Sequence, residues 1–202
     1  MKPMLTAFTA LAVLAAPAAA APEVGKPAPN FKLADVNGKP VTLSNFRGKT
    51  VVLEWNNPGC PFVKKHYVSG NMQKAQAEAA KDGIVWLTIN SSAPGKQGHM
   101  SGAEAKAQIA QAGARPTAYL LDPRGVVGKA YEAKTTPHMY VVNRAGLLVY
   151  AGGIDDKPTA NPADISGARN HVLAALSELK AGKKVSVATS RPYGCSVKYA
   201  ES

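Results

Sequence analysis

Leu53-Glu54-Trp55-Asn56-Asn57-Pro58-Gly59-Cys60-Pro61-Phe62-Val63 is the stretch that decides how the chain is read. It closes a β-branched, apolar run from Thr50 to Trp55 that has the length of a buried strand. A Pro-Gly turn follows, and Pro61 then occupies the favoured first position of a helix. Cys60 therefore stands at a helix N-terminus. Free backbone N–H groups and the positive end of the helix dipole stabilise a thiolate there, so the expected shift of the Cys60 pKa is downward. Lys64 and Lys65 on the first turns are expected to push the same way.

Working outward, strands and helices alternate. An extended, proline-bearing lead-in over residues 21 to 30 leads to a short strand near Phe31 to Ala34 and a turn at Asn37-Gly38. After Cys60 a helical stretch runs from Pro61 to Asp82, with Ser69-Gly70 as a break point and Gly83 as C-cap. Ile84 to Asn90 is the next strand, Ser91 to Gly98 a loop, and Ser101 to Gln111 an Ala-rich helix. Two units then echo each other, Pro116 and Tyr119 to Gly125 against Pro137 and Tyr140 to Gly146, which reflects shared turn chemistry because repeat architectures need three or more copies. Met139 to Ala151 has the pattern of a β-hairpin, and a helix capped near Asn161 or Asp164 should carry Ile165, Val172, Leu176 and Leu179 on one face. The order is that of an α/β protein. Lys183 to Ser202 shows no period.

Composition narrows the function classes. The chain has 202 residues, 46% of them hydrophobic, and only two cysteines, which excludes disordered, zinc-ribbon and disulfide-dense classes. Met1-Lys2-Pro3 leads into an apolar run from Met4 to Ala16 and then Ala18-Ala19-Ala20, the pattern of a signal peptide cleaved after Ala20. That run is too short for a bilayer core that needs roughly 20 apolar residues, so no stable membrane insertion is expected and the mature protein should be periplasmic or secreted. Without residues 1 to 20 the formal charge falls from +11 to +10. The cations are scattered and not interleaved with aromatics, so no nucleic-acid partner is expected. In an oxidising compartment Cys60 and Cys195 could form a disulfide, and a structural staple is the plainest use of such a pair.

The strand ending in Trp55, the turn, the Cys-Pro at a helix start, Thr136-Pro137 before a strand, and the closing hairpin and helix resemble a thioredoxin-fold redoxin, close to the alkyl hydroperoxide reductase and thiol-specific antioxidant group and to exported thioredoxin-like proteins. The resemblance spans roughly residues 24 to 181. It implies a thioredoxin-like domain over 21–182, with a central mixed sheet flanked by helices, an N-terminal β extension and an irregular tail over 183–202. By the same resemblance, Cys60 matches the nucleophilic cysteine of C-x-x-C. Pro137 matches the proline after a cis bond that packs against it, with Pro116 as rival, and Pro61, Thr136 and His138 would line the substrate groove. Glu54, six positions before Cys60, matches a buried acid that relays protons; an outward-facing strand glutamate is the alternative.

Two departures matter. Val63 stands where C-x-x-C has its second cysteine, so a two-cysteine cycle must use Cys195 or a partner. Asn57 stands where peroxiredoxins carry the threonine that orients peroxide, which places peroxidase activity in doubt. From Gly182, 13 residues of extended chain reach up to roughly 43 Å, enough to bring Cys195 to Cys60 as resolving cysteine. The implied function is an exported thiol oxidoreductase acting on protein thiols and disulfides or small peroxides with an external reductant and no cofactor. The alternatives are a peroxidase, or a redox-inert binding module with a structural Cys60–Cys195 disulfide. A copper chaperone using His138 and His66 beside Cys60 is disfavoured because Val63 removes one soft ligand.

Overall fold

A computed structural model describes residues 22–201. The proposed leader, residues 1 to 20, lies outside the described residues.

The fold is built on a seven-stranded mixed sheet, and the run ending in Trp55 is one of its interior strands. The strands β1 (Lys32–Asp35) and β2 (Pro40–Thr42) form the N-terminal hairpin, turning at Asn37-Gly38. They are followed by β3 (Val51–Trp55), β4 (Val85–Asn90) and β5 (Ala118–Leu121). A short β6 (Thr135–Thr136) precedes β7 (His138–Val142) and β8 (Leu148–Gly152). The sheet order is β2-β1-β5-β4-β3-β7-β8, with β3, β4 and β5 mutually parallel and β7 antiparallel to β3. Every residue of β3 is buried, as an apolar strand between two covered faces must be.

Side-chain alternation along β3 sorts the core into two layers. Val51, Leu53 and Trp55 join Phe31, Leu87 and Tyr140 on one face. Val52 joins Trp86, Met139 and Val172 on the other. Glu54 shares the face of Val52 and pairs in register with Thr88 of β4, so it is fully buried and the alternative of an outward-facing glutamate is set aside.

The helical stretch after Cys60 divides where expected. It forms α1 (Pro61–Val68) and α2 (Asn71–Lys81), separated at Ser69-Gly70, with Gly70 in the left-handed region at φ 73°. Ser101 caps α3 (Gly102–Gln111) through a reciprocal box with Glu104. The two echoing units diverge. The second forms the β7–β8 hairpin, whereas the first passes from β5 through Gly125 into a short α4 (Val126–Ala130).

One sequence expectation is corrected. The last helix, α5 (His171–Lys180), does not begin near Asn161 or Asp164, because Pro162–Gly167 is a separate 3-10 turn. Asn170 is the cap, its side-chain oxygen accepting from the Leu173 N–H at 2.9 Å. Ile165 therefore lies off the helix, while Val172 and Leu176 pack into the core as expected.

The chain beyond α5 is irregular but not loose. It contributes β9 (Cys195–Ser196), which pairs antiparallel with β6. Among the described residues no helix is long and apolar enough to cross a membrane.

Because Leu53 is fully buried on an interior strand of the sheet, Leu53→Ala should lower unfolding free energy by about 2–5 kcal/mol in chemical denaturation. A loss below about 1 kcal/mol would show that this face is not tightly packed.

Candidate active site

Three elements converge on Cys60. The first is the β3–α1 turn, which makes Cys60 the N-cap residue of α1 with extended backbone (φ −78°, ψ 126°) and Pro61 in the first turn. The second is the β6–β7 junction, where the Thr136-Pro137 bond is cis, as the resemblance implied for Pro137 and not for Pro116. The third is the tail. Pairing of Thr136 with Cys195 across β6 and β9 carries the Cys195 sulfur to 2.6 Å from the Cys60 sulfur. Both are free thiols, so the pair stands as an adjacent dithiol.

Cys60 is buried, whereas Cys195 is partly exposed. The Thr136 carbonyl lies 3.1 Å from the Cys60 sulfur and accepts from its thiol. The Cys195 N–H points at the same sulfur from 3.4 Å. Burial opposes ionisation of Cys60, but donation from the Cys195 side chain, with further help from the backbone N–H groups of Cys195 and Val63 and from the Thr136 side chain, holds its pKa below the ordinary value. Cys195 moves the other way. Burial, then its hydrogen bond and charge interaction with Cys60, push its pKa up to about 11. The first proton lost from the pair therefore leaves a thiolate at Cys60 with the remaining S–H on Cys195.

The downward direction agrees with the helix-start argument, but the expected help from Lys65 is corrected. Lys65 is fully buried and turns away from the sulfur, donating to the Lys157 carbonyl at 2.7 Å and lying 3.8 Å from Asp155. A lysine so deep is held only where an acid and an acceptor meet it. Asp155 also accepts from the Tyr193 hydroxyl, two residues before Cys195.

Glu54 is surrounded by donors. Tyr67 Oη lies at 2.8 Å, Trp86 Nε1 at 2.8 Å, Asn56 Nδ2 at 2.9 Å and Thr88 Oγ1 at 3.0 Å. Cys60 is not among these partners, so Glu54 organises the floor beneath the β3–α1 turn and does not hydrogen-bond the sulfur. His138 Nδ1 lies 3.0 Å from Tyr140 Oη and 3.3 Å from the Lys134 N–H. His66 is held between Asn71 (2.8 Å) and Tyr193 (3.2 Å). Burial lowers both imidazole pKa values to about 4. Neither ring faces Cys60 in a ligand cluster, and among the described residues no three His, Cys, Asp or Glu side chains group to hold a metal.

The loop after β4 belongs to the site. Asn57, at the peroxiredoxin threonine position, accepts from the Gly59 N–H at 2.9 Å and donates to the Gln97 side chain at 2.8 Å. A Cβ on Gly98 would fall 2.2 Å from the Asn57 side chain, so this loop closes against the turn only with glycine there. Sequence reasoning did not single out Gln97, Gly98, Asp155 or Gly194. For Gly194 a signal was available in the Tyr193-Gly194-Cys195 tripeptide, since glycine next to a cysteine permits close backbone approach. Its φ is +133°, and a Cβ would sit 2.1 Å from the Thr136 carbonyl oxygen.

A cysteine at a helix start, met by a second from the tail and facing a cis-proline at the start of β7, marks a thioredoxin-fold redoxin. The chain belongs to the AhpC/TSA family, whose model matches residues 24–151. Among solved structures it is similar to a hypothetical protein of Sinorhizobium meliloti 1021 (26% identity, 89% of this chain and 96% of that one, TM-score 0.74). An uncharacterized conserved protein of Geobacillus kaustophilus is similar over a like span (29% identity, 89% and 94%, TM-score 0.72). A secreted disulfide oxidoreductase of Mycobacterium tuberculosis shares the fold at 19% identity (68% and 92%, TM-score 0.51). No curated protein matches the chain.

Two substitutions test this geometry. Cys195→Ala removes the main hydrogen-bond donor to Cys60, and the Cys60 pKa, followed by thiolate absorbance, should rise; an unchanged or lower value would refute donation by Cys195. Gly194→Ala places a methyl against Thr136, and strain of about 1–3 kcal/mol should loosen the tail and speed alkylation of Cys60 by about tenfold or more, with the far-ultraviolet spectrum unchanged.

Proposed function

We propose that the protein is an exported thiol:disulfide oxidoreductase in which Cys60 and Cys195 cycle between dithiol and disulfide. The observation that carries this reading is the 2.6 Å approach of two free sulfurs with opposite pKa shifts. Cys60 supplies the thiolate, and Cys195 replaces the second cysteine that Val63 displaces from the helix. Thiol–disulfide exchange needs a thiolate, a second sulfur within bonding reach and a leaving group that holds charge, and the pair offers all three. Thr136, Pro137 and Pro61 frame the couple. Glu54 fixes the strand end that presents it and, lacking contact with the sulfur, acts as a positioning residue.

Disulfide exchange is favoured over peroxide reduction by two features. Cys60 is buried beneath Cys195, leaving no open face for a peroxide, and Asn57 is committed to the Gln97 loop. The substrates are protein or peptide thiols and disulfides, and an external thiol or disulfide partner resets the couple. Export is supported by the Met1 to Ala20 leader pattern.

The test is turnover of a dicysteine model peptide in a glutathione buffer. The wild-type protein should catalyse exchange, and Cys60→Ala and Cys195→Ala should each fall to the uncatalysed rate. Cys60 ionises below the ordinary 9.0, so the rate should rise with pH to a plateau whose midpoint lies under that value and be lost as the thiolate protonates below it. Hydrogen peroxide consumption that outpaces peptide exchange would instead make the protein a peroxidase. Full exchange activity in Cys195→Ala would break the two-sulfur cycle.

A further inference from the structure

Exchange on a disulfide is directional. The incoming thiolate approaches along the S–S axis from the side opposite the sulfur that leaves, and the rate depends on which sulfur is accessible and which leaves better. The two sulfurs here differ on both counts.

Cys60 is fully buried. Around it are the start of α1, the Thr136 carbonyl and the tail itself, with Cys195 Sγ at 2.6 Å. Attack on Cys60 in the oxidised couple would have to come from the side away from Cys195, which is the protein interior. Lifting the tail would open that site in the dithiol, but in the disulfide the S–S bond itself ties the tail down. Cys195 is different: it is partly exposed and sits on a two-residue strand between half-buried Gly194 and exposed Ser196. A cleft of about 580 Å³, whose walls include Thr135, Arg191, Tyr193 and Gly194, opens beside it.

We propose that substrate thiols enter the oxidised couple at Cys195, with Cys60 as the buried leaving sulfur. The inference rests on the exchange cycle proposed above and reverses the order of sulfurs that the C-x-x-C resemblance implies. In the first step a substrate thiolate forms a bond to Cys195 Sγ. The Cys60–Cys195 bond breaks, and its electron pair departs on Cys60, where the Cys195 and Val63 N–H groups receive the charge. In the second step the substrate's other thiolate attacks the substrate sulfur of the mixed disulfide. A substrate disulfide forms, Cys195 leaves with the electron pair and takes a proton, and the couple has gained the two electrons that the substrate lost.

The test uses the full oxidised chain mixed with reduced glutathione, quenched in acid within milliseconds and mapped by mass. The expected result is glutathione on the Cys195 peptide in about tenfold or greater excess over the Cys60 peptide. Glutathione mainly on Cys60, or evenly divided, overturns the assignment while leaving the exchange cycle intact. A disulfide that stays whole under excess glutathione overturns the cycle and this inference together.

Discussion

The pairing of β9 with β6 is the constraint on which the site depends. It consists of only two residue pairs, Thr135 with Ser196 and Thr136 with Cys195, yet it sets a sulfur from the end of the chain against a helix start 135 residues earlier. So short a ladder does not hold by itself. Anchors on both sides secure it: Ser190 N–H donates to the Ala151 carbonyl at 3.2 Å upstream, and Val197 N–H to the Lys134 carbonyl at 3.1 Å downstream. Tyr199 reaches the Ala133 carbonyl at 2.8 Å, and Ala93 of the β4 loop donates to Lys198 at 2.8 Å. The tail is thus fastened to strand β8 and to two loops, the one before β6 and the one after β4. Cys195 lies between these anchors, so its position is fixed from both sides.

The buried charges serve the same placement. Lys65, Asp155 and Tyr193 join α1, the segment after β8 and the tail in one polar contact beneath the surface, with the Lys65 ammonium 5.5 Å above the Tyr193 ring. Burying a lysine and an aspartate costs several kcal/mol per ion, which their mutual attraction repays only with good geometry, so such pairs are poor sources of net stability. Their effect is on specificity: removing the tail would leave Asp155 without the Tyr193 hydroxyl. The charge that sequence assigned to the thiol is spent on locating the other sulfur.

What could be read in the sequence followed local rules. The β3 run, the Pro-Gly turn, Pro61 at the helix start, the break at Gly70 and the β7–β8 hairpin are each set by neighbours within a few residues. Cys60 as a site residue and Pro137 as the cis-proline followed from the same stretches together with the resemblance. The α5 cap was misplaced because Asn161, Asp164 and Asn170 offer the same chemistry and only tertiary context selects among them; Asn161 does cap, but only a 3-10 turn. Lys65 was misassigned because its helical position says nothing about which buried acid will face it. The tail carried no periodicity, since its order comes from contacts with Ala151, Thr136, Lys134 and Ala93, all distant in sequence.

Moving the second sulfur from the helix to the tail changes what oxidation does to the fold. In a C-x-x-C pair the disulfide closes a loop of four residues and constrains little else. Here it would close a loop of 135 residues, which on the chain-entropy model is worth about 5 kcal/mol before strain. The segment carrying Cys195 is held in the dithiol by hydrogen bonds, by the Tyr193 contact and by Val197, which is buried in the core with Tyr199 packed against it. The dithiol tail can open locally without unfolding the sheet, because its ladder adds no strand to the central one. The disulfide tail cannot move away from Cys60 until the bond has been broken. In the proposed cycle the redox state would therefore decide whether the tail can uncover Cys60, a coupling that a C-x-x-C pair on a single helix does not have.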